Sequence, residues 1–148
     1  MKKIRIIGTD EGSFDYNRNL NFEQIKNKPL EIQLHVEMIF KEGFDKVLFR
    51  SYVRYLLEKD QVMKYDVSLW FLVQNWDEYI KDMKDDDIHN LDETYRMLAV
   101  TIGFLRGSLS LQERSTPFKG AFLPLLDIEA LMKEVIVKRL TDEPKDKY

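Results

Sequence analysis

Between Leu30 and Val73 apolar and polar residues alternate in three successive runs. Leu30, Ile32, Leu34, Val36 and Met38 are separated by Glu31, Gln33, His35 and Glu37, the period-two signature of a strand with one dry and one wet face. After a turn at Gly43, Val47, Phe49, Val53, Tyr55 and Leu57 occupy one side of a second strand, and Arg50, Tyr52 and Arg54 the other. A polar break from Glu58 to Gln61 precedes a third run, in which Met63, Tyr65, Val67, Leu69, Phe71 and Val73 oppose Lys64, Asp66 and Ser68. Long strands joined by short turns predict an antiparallel meander over 30–74. Upstream, within 1–16, Ile4 and Ile6 start an extended run that Gly8 to Gly12 bulges before Phe14 and Tyr16 resume it, so a kinked first strand is predicted. Asn17 to Pro29 reads as polar loop with room for one helical turn.

The period changes at Leu91. Leu91, Tyr95, Leu98, Ile102, Leu105 and Leu109 alternate steps of four and three, one stripe of a long helix. Asn90 followed by Glu93 is a capping-box pattern that sets its start. Gly103 and Gly107 inside it each cost about 1 kcal/mol relative to alanine, so another backbone is expected to pack close to them, with a functional hinge as the alternative. Asp127 is placed to cap a second helix carrying Ile128, Leu131, Met132, Val135 and Leu140 on its inner stripe. The charged stretch from Gln74 to Asp87 has Trp76, Tyr79 and Ile80 as anchors, and the tail TDEPKDKY, 141–148, is expected to fray. Strands followed by helices indicate an α+β domain: a four-stranded antiparallel meander with two helices, within 88–140, on one face.

A chain of 148 residues with 44% hydrophobic content suits one domain over 1–148. The absence of cysteine excludes disulfides and thiolate chemistry and fits a cytoplasmic setting. A net charge of −3 from 23 basic and 26 acidic residues provides no field for polyanions or anionic membranes, so neither nucleic acid nor a membrane is an expected partner. The apolar run in MKKIRIIGTDE is too short for a signal peptide, and no stretch reads as a membrane span. His35 falls on the wet face of a strand and His89 in a helix-start segment, too few for a histidine cluster. Asp85, Asp86 and Asp87 favour a helix N-terminus through its dipole; a metal site with His89 is the alternative, opposed by the divergent directions of adjacent carboxylates. No nucleophile elbow, phosphate loop, dinucleotide fingerprint or zinc-protease motif occurs, so no catalytic residue and no cofactor is predicted. Arg50, Tyr52 and Arg54 form a basic and aromatic ladder of the kind that stacks single-stranded RNA, but Glu31, Glu37 and Asp66 on neighbouring strands explain it more simply as cross-strand ion pairing.

The crossing from Gln112 to Leu126, punctuated by Pro117, Gly120 and Pro124, is long for a loop without secondary structure, a length often associated with function. It carries Phe118, Phe122, Leu123, Leu125 and Leu126. These side chains either pin the loop to the sheet or line an apolar groove for extended, unfolded chain.

At this crossing the sequence resembles the SecB family of export chaperones. AVTIGFLRGSLSLQERSTPFKGAFLPLLDIEAL is similar to that family's long helix, connecting loop and final helix, with Leu123, Pro124, Leu126, Asp127, Ile128 and Leu131 on its "L-x-P-[VIL]-[ND]-[FVI]-x-x-L" stretch. KIRIIGTDEGSFDYN resembles its first strand through Ser13, Phe14 and Asp15, and the order of strands and helices matches throughout. The resemblance implies an ATP-independent holdase for non-native polypeptides, working in protein export. It also implies a homo-tetramer built as a dimer of dimers, or a dimer, with Gly103, Arg106 and Gly107 at the long-helix interface. Peptide would bind at Phe118, Phe122, Leu123, Leu125 and Leu126, and a translocase motor ATPase would dock on Glu11, Asp15 and Asp66. The mixed-charge tail TDEPKDKY replaces the family's acidic, glutamine-bearing tail, and TIGFLRG its proline and aromatic phrase. Relatives of this fold that serve one client, such as an antitoxin, supply the alternative function, and an RNA-binding module the third.

Overall fold

The computed structural model describes residues 2–26, 28–119 and 126–140. The alternation is realised as β1 (Ile4–Tyr16), β2 (Glu31–Lys41), β3 (Lys46–Leu57) and β4 (Asp60–Val73), with one short helix, α1 (Phe22–Ile25), in the polar loop. β2, β3 and β4 form the predicted meander, and β1 returns antiparallel to β4. Gly43 turns the first hairpin at φ 90°. Glu58 and Lys59 turn the second with φ of 52° and 73°, the left-handed pair of a tight two-residue hairpin usually given to Asn-Gly. The kink of β1 takes the form of register shifts between Ile6 and Gly8 and between Glu11 and Phe14. A side chain at Gly12 would collide with the Asp66 carboxylate, Oδ2 lying 2.0 Å from where a Cβ would stand.

Among the described residues the sheet has five strands, in the order β1-β4-β3-β2-β5, and is mixed rather than purely antiparallel. β5 (Ile136–Leu140) runs parallel to Glu37–Lys41 of β2. It occupies sequence expected to continue the second helix, and that helix, α5 (Ile128–Met132), ends after five residues. The β-branched run Val135, Ile136, Val137 has little helical preference, and strand pairing satisfies the backbone edge of β2 that a continued helix would leave bare. The cap is as predicted: the Asp127 side chain accepts from the N–H groups of Glu129 and Ala130 at 3.1 and 3.3 Å.

The charged stretch folds into α2 (Trp76–Ile80) and α3 (Asp85–His89), both anchored by buried residues, Trp76, Ile80 and Ile88. Asp85, Asp86 and Asp87 make up the first turn of α3, and among the described residues no cluster of metal-ligating side chains occurs. The long helix, α4 (Asp92–Glu113), has 22 residues and spans about 33 Å across β1, β4 and β3. Its start departs from the capping box. Asn90 closes α3 by donating its amide to the Asp86 carbonyl, while Glu93 accepts from the Lys2 backbone N–H at 3.2 Å and from Tyr79. Long-range partners thus replace the local cap. Leu98, Ile102, Leu105 and Leu109 are buried as predicted, but Met97, Thr94, Thr101 and Ser108 join them and Tyr95 is 41% exposed, so the inner stripe is rotated from the one expected. The inward threonines return their hydroxyls to backbone carbonyls of Ile88 and Met97.

The main core lies between the sheet and α4. A second, small cluster of Ile39, Leu48 and Trp70, edged by Ile7 and Leu140, sits on the opposite face.

Candidate functional site

β2 changes character along its length. From Glu37 to Lys41 it is hydrogen-bonded on both sides, to β3 and to β5; from Glu31 to Val36 it pairs only with β3 among the described residues. Burial follows this division: Val36 to Phe40 are buried, whereas Ile32 and Leu34 are half-buried. The open half therefore presents backbone donors and acceptors in line with β5, with Ile32 and Leu34 facing the main core and Glu31, Gln33 and His35 the other side. Leu126 and Ile128, at the end of the crossover, pack half-buried against the same core.

β5 is held onto β2 by a polar cluster on the outer face. Glu37, 7% exposed, pairs with Lys138, accepts from the Tyr52 hydroxyl at 3.2 Å and lies 3.9 Å from His35 Nε2. Burial alone would push its carboxyl up, but Lys138, then Tyr52 and His35, outweigh burial and hold it below its ordinary value. Arg139, on the inner side, stacks over the Phe40 ring at 5.5 Å and bonds Asp85 and the Met83 carbonyl. Of the cross-strand ion pairing that the sequence suggests, Glu37 takes Lys138 of β5 as its cation and only a hydrogen bond from Tyr52 of β3, while Arg54 donates to the neutral Gln33.

The residues assigned to peptide binding divide three ways. Phe118 is wholly buried, its ring edge-on to Tyr55 at 5.6 Å and to Tyr16 at 6.2 Å. Leu126 is half-buried. Phe122, Leu123 and Leu125 lie outside the described residues. Phe118 thus belongs to the core in this arrangement and lines no open surface.

At the root of the crossover stands a pair that composition and spacing did not single out. Glu113, the last residue of α4, is 1% exposed and accepts from the Tyr55 hydroxyl; its other oxygen, Oε2, has no hydrogen-bond partner among the described residues. Burial raises the Glu113 carboxyl to about 7 against the opposing pull of the Tyr55 bond, and burial with Glu113 pushes the Tyr55 hydroxyl up. The signal was present: Glu113 follows Leu109 by four and so continues the buried stripe.

The three carboxylates expected to face a motor ATPase do not share one surface. Glu11 accepts from the buried Tyr65 hydroxyl at 2.7 Å. Asp66, next to Tyr65 and so on the opposite face, packs on Gly12; its carboxyl is pushed up by burial, opposed by a backbone bond from Ser13. Asp15 is exposed opposite Lys64.

β1 has a second open edge, since it pairs only with β4 among the described residues. An open cleft of about 780 Å³ lined by Lys3, Ile4, Arg5, Leu72, Gln74 and Arg96 borders it, and beside this lie exposed Ile6 and Val100, at 47% and 43%. The outward side of α4 continues the patch with Gly103, Gly107 and Leu111, which is 63% exposed; Arg106 is half-buried. Both glycines are exposed, and nothing lies within 4 Å of where a Cβ would stand, so the expected close packing against them is not made among the described residues.

No helix among the described residues is long and apolar enough to cross a membrane. No family model matches the sequence, and no curated protein matches it. Among solved structures the fold is similar to a protein of unknown function from Streptococcus agalactiae, at 10% identity and a TM-score of 0.43, over 78% of this chain and 91% of that one. It is also similar to the Mycobacterium tuberculosis SecB-like chaperone Rv1957, solved with a ChAD peptide from the HigA1 antitoxin, at 13% identity and a TM-score of 0.37, over 86% of each chain.

Proposed function

We propose that this protein is a chaperone of the holdase type that binds extended segments of non-native polypeptide, without ATP and without a catalytic residue. The observation that carries this is the open half of β2. A client strand added along Glu31–Val36, in line with β5, would satisfy its own backbone whatever its sequence, and its alternate side chains would meet Ile32, Leu34 and the apolar end of the crossover. Each 100 Å² of apolar surface so buried contributes about 2.5 kcal/mol, which suits broad rather than specific recognition. Working on chains before export or assembly places the protein in the cytoplasm.

The β1 edge and the outward side of α4 serve self-association in this proposal. Ile6, Val100 and Leu111 would be covered, and Gly103 and Gly107 would let a second helix approach closely, giving a dimer or a dimer of dimers. Docking of a motor ATPase is not part of it, because Glu11 and Asp66 are already engaged within the chain.

The test is suppression of aggregation of several unrelated denatured proteins, with a photo-crosslinking side chain placed at His35, on the open edge, or at exposed Glu42, in the β2–β3 turn at the other end of β2. Clients should crosslink at His35 and not at Glu42. Equal labelling at both positions would remove the β2 edge as the site, and protection of one client alone would favour a dedicated chaperone.

A further inference from the structure

We propose that Glu113, Tyr55 and Phe118 form a pH-sensitive latch on the crossover, closed while Glu113 is protonated and released when it ionises. The geometry is that of a closed box with one missing partner. Tyr55 supplies one hydroxyl donor to Glu113 Oε1, and Oε2 is buried without one. Phe118 leans on the same Tyr55 ring and is as deeply buried as the carboxyl. A tight turn fixes the two together: the Thr116 N–H and hydroxyl both donate to the Glu113 carbonyl at 2.9 Å, and the Phe118 N–H donates to the Thr116 hydroxyl at 3.1 Å.

Among the described residues no cation compensates a charge in this box. From β3 it meets Tyr55. The β1 side contributes Tyr16, whose hydroxyl accepts from Arg18 at 3.4 Å with the guanidinium over the ring. On β4 the Tyr65 hydroxyl is committed to Glu11. On the Glu113 segment itself, Arg114 and Lys119 are exposed. Burial, opposed only by Tyr55, raises the Glu113 carboxyl to about 7, so the proton leaves within the physiological range. The carboxylate then needs water at Oε2, and water reaches it when the segment 114–119, already exposed at Arg114, Ser115 and Lys119, swings away with Phe118. Release would uncover Phe118, Tyr55 and Tyr16 at the root of the crossover, adding apolar surface for clients; this last consequence rests on the function proposed above.

Hydrogen exchange of 114–119, taken as the ratio of wild type to Glu113→Gln at each pH to cancel intrinsic rates, tests the latch. The ratio should be near one at pH 4, rise as pH passes from about 4.5 to about 7, and level off on the order of a hundredfold at pH 8. Tyr55→Phe, which removes the single donor, should move the wild-type transition to higher pH. A ratio of one at both values, or a Tyr55→Phe transition that coincides with wild type should Glu113→Gln fail to fold, would overturn it. Binding of a reduced, carboxymethylated unfolded polypeptide is measured in parallel. Client binding at both pH values with flat exchange sinks the latch and spares the chaperone; pH-dependent exchange without client binding does the reverse.

Discussion

Glu37 and Glu113 are both glutamates buried against one sheet, on opposite faces of it, and they behave oppositely. Glu37 has a lysine, a tyrosine hydroxyl and a histidine around it, and its carboxyl lies below the ordinary value. Glu113 has one tyrosine hydroxyl and an orphan oxygen, and its carboxyl lies near 7. Burial is common to both, so the difference comes from the number of partners that favour the charge. The first carboxylate therefore fastens β5 to β2, and the second holds the crossover only while it is neutral.

The signs of the two pH responses follow. A lowered carboxyl contributes stability that is present above about pH 4.5 and lost on acidification, so the β5 end should loosen as Glu37 takes a proton. A raised carboxyl does the reverse: the native state is favoured while Glu113 is protonated, and stability falls as pH rises from about 4.5 to about 7, then levels off. Acid should loosen the Glu37 pairing, and a rise from about pH 4.5 towards neutrality the Glu113 one.

Phe118→Ala should have the largest effect, a loss of about 3–5 kcal/mol in urea unfolding, because it empties a site between two tyrosine rings. It should also admit water to Glu113 and bring the two carboxyls closer in titration, visible by NMR. Glu113→Gln should come next. It removes the alkaline penalty, so the variant should exceed wild type by about 2–3 kcal/mol at pH 8 and lose that advantage below pH 5. Glu37→Ala should cost about 1–2 kcal/mol, moderated by the solvent exposure of Lys138, with faster hydrogen exchange confined to β5. Lys59→Gly, which relieves a left-handed backbone and removes neither carboxyl's partner, should gain about 1 kcal/mol equally at pH 6 and pH 8 and so acts as a pH-independent control.

Much of the architecture was legible in the residues, because its cause is local. The meander follows from side-chain alternation, the β1 kink from its glycines, and the Asp127 cap from a side chain two residues from its partner. The candidate site was legible only in part. The crossover and its phenylalanines attracted attention through composition, but the open edge of β2 depends on where β5 stops, and periodicity along β2 says nothing of that. Asn90 and Glu93 show the same limit, since their expected mutual capping gave way to Asp86, Lys2 and Tyr79.

By itself, then, the order of residues determined which segments extend, which coil and which faces are apolar, because those properties are set within a few residues of the chain. The tertiary structure decided that 136–140 pairs as a strand, that half of β2 stays open, and that one glutamate is surrounded by partners while another has a single donor. Each of these depends on groups tens of residues apart, Glu37 with Lys138 and Tyr55 with Glu113, whose meeting only the folded chain brings about.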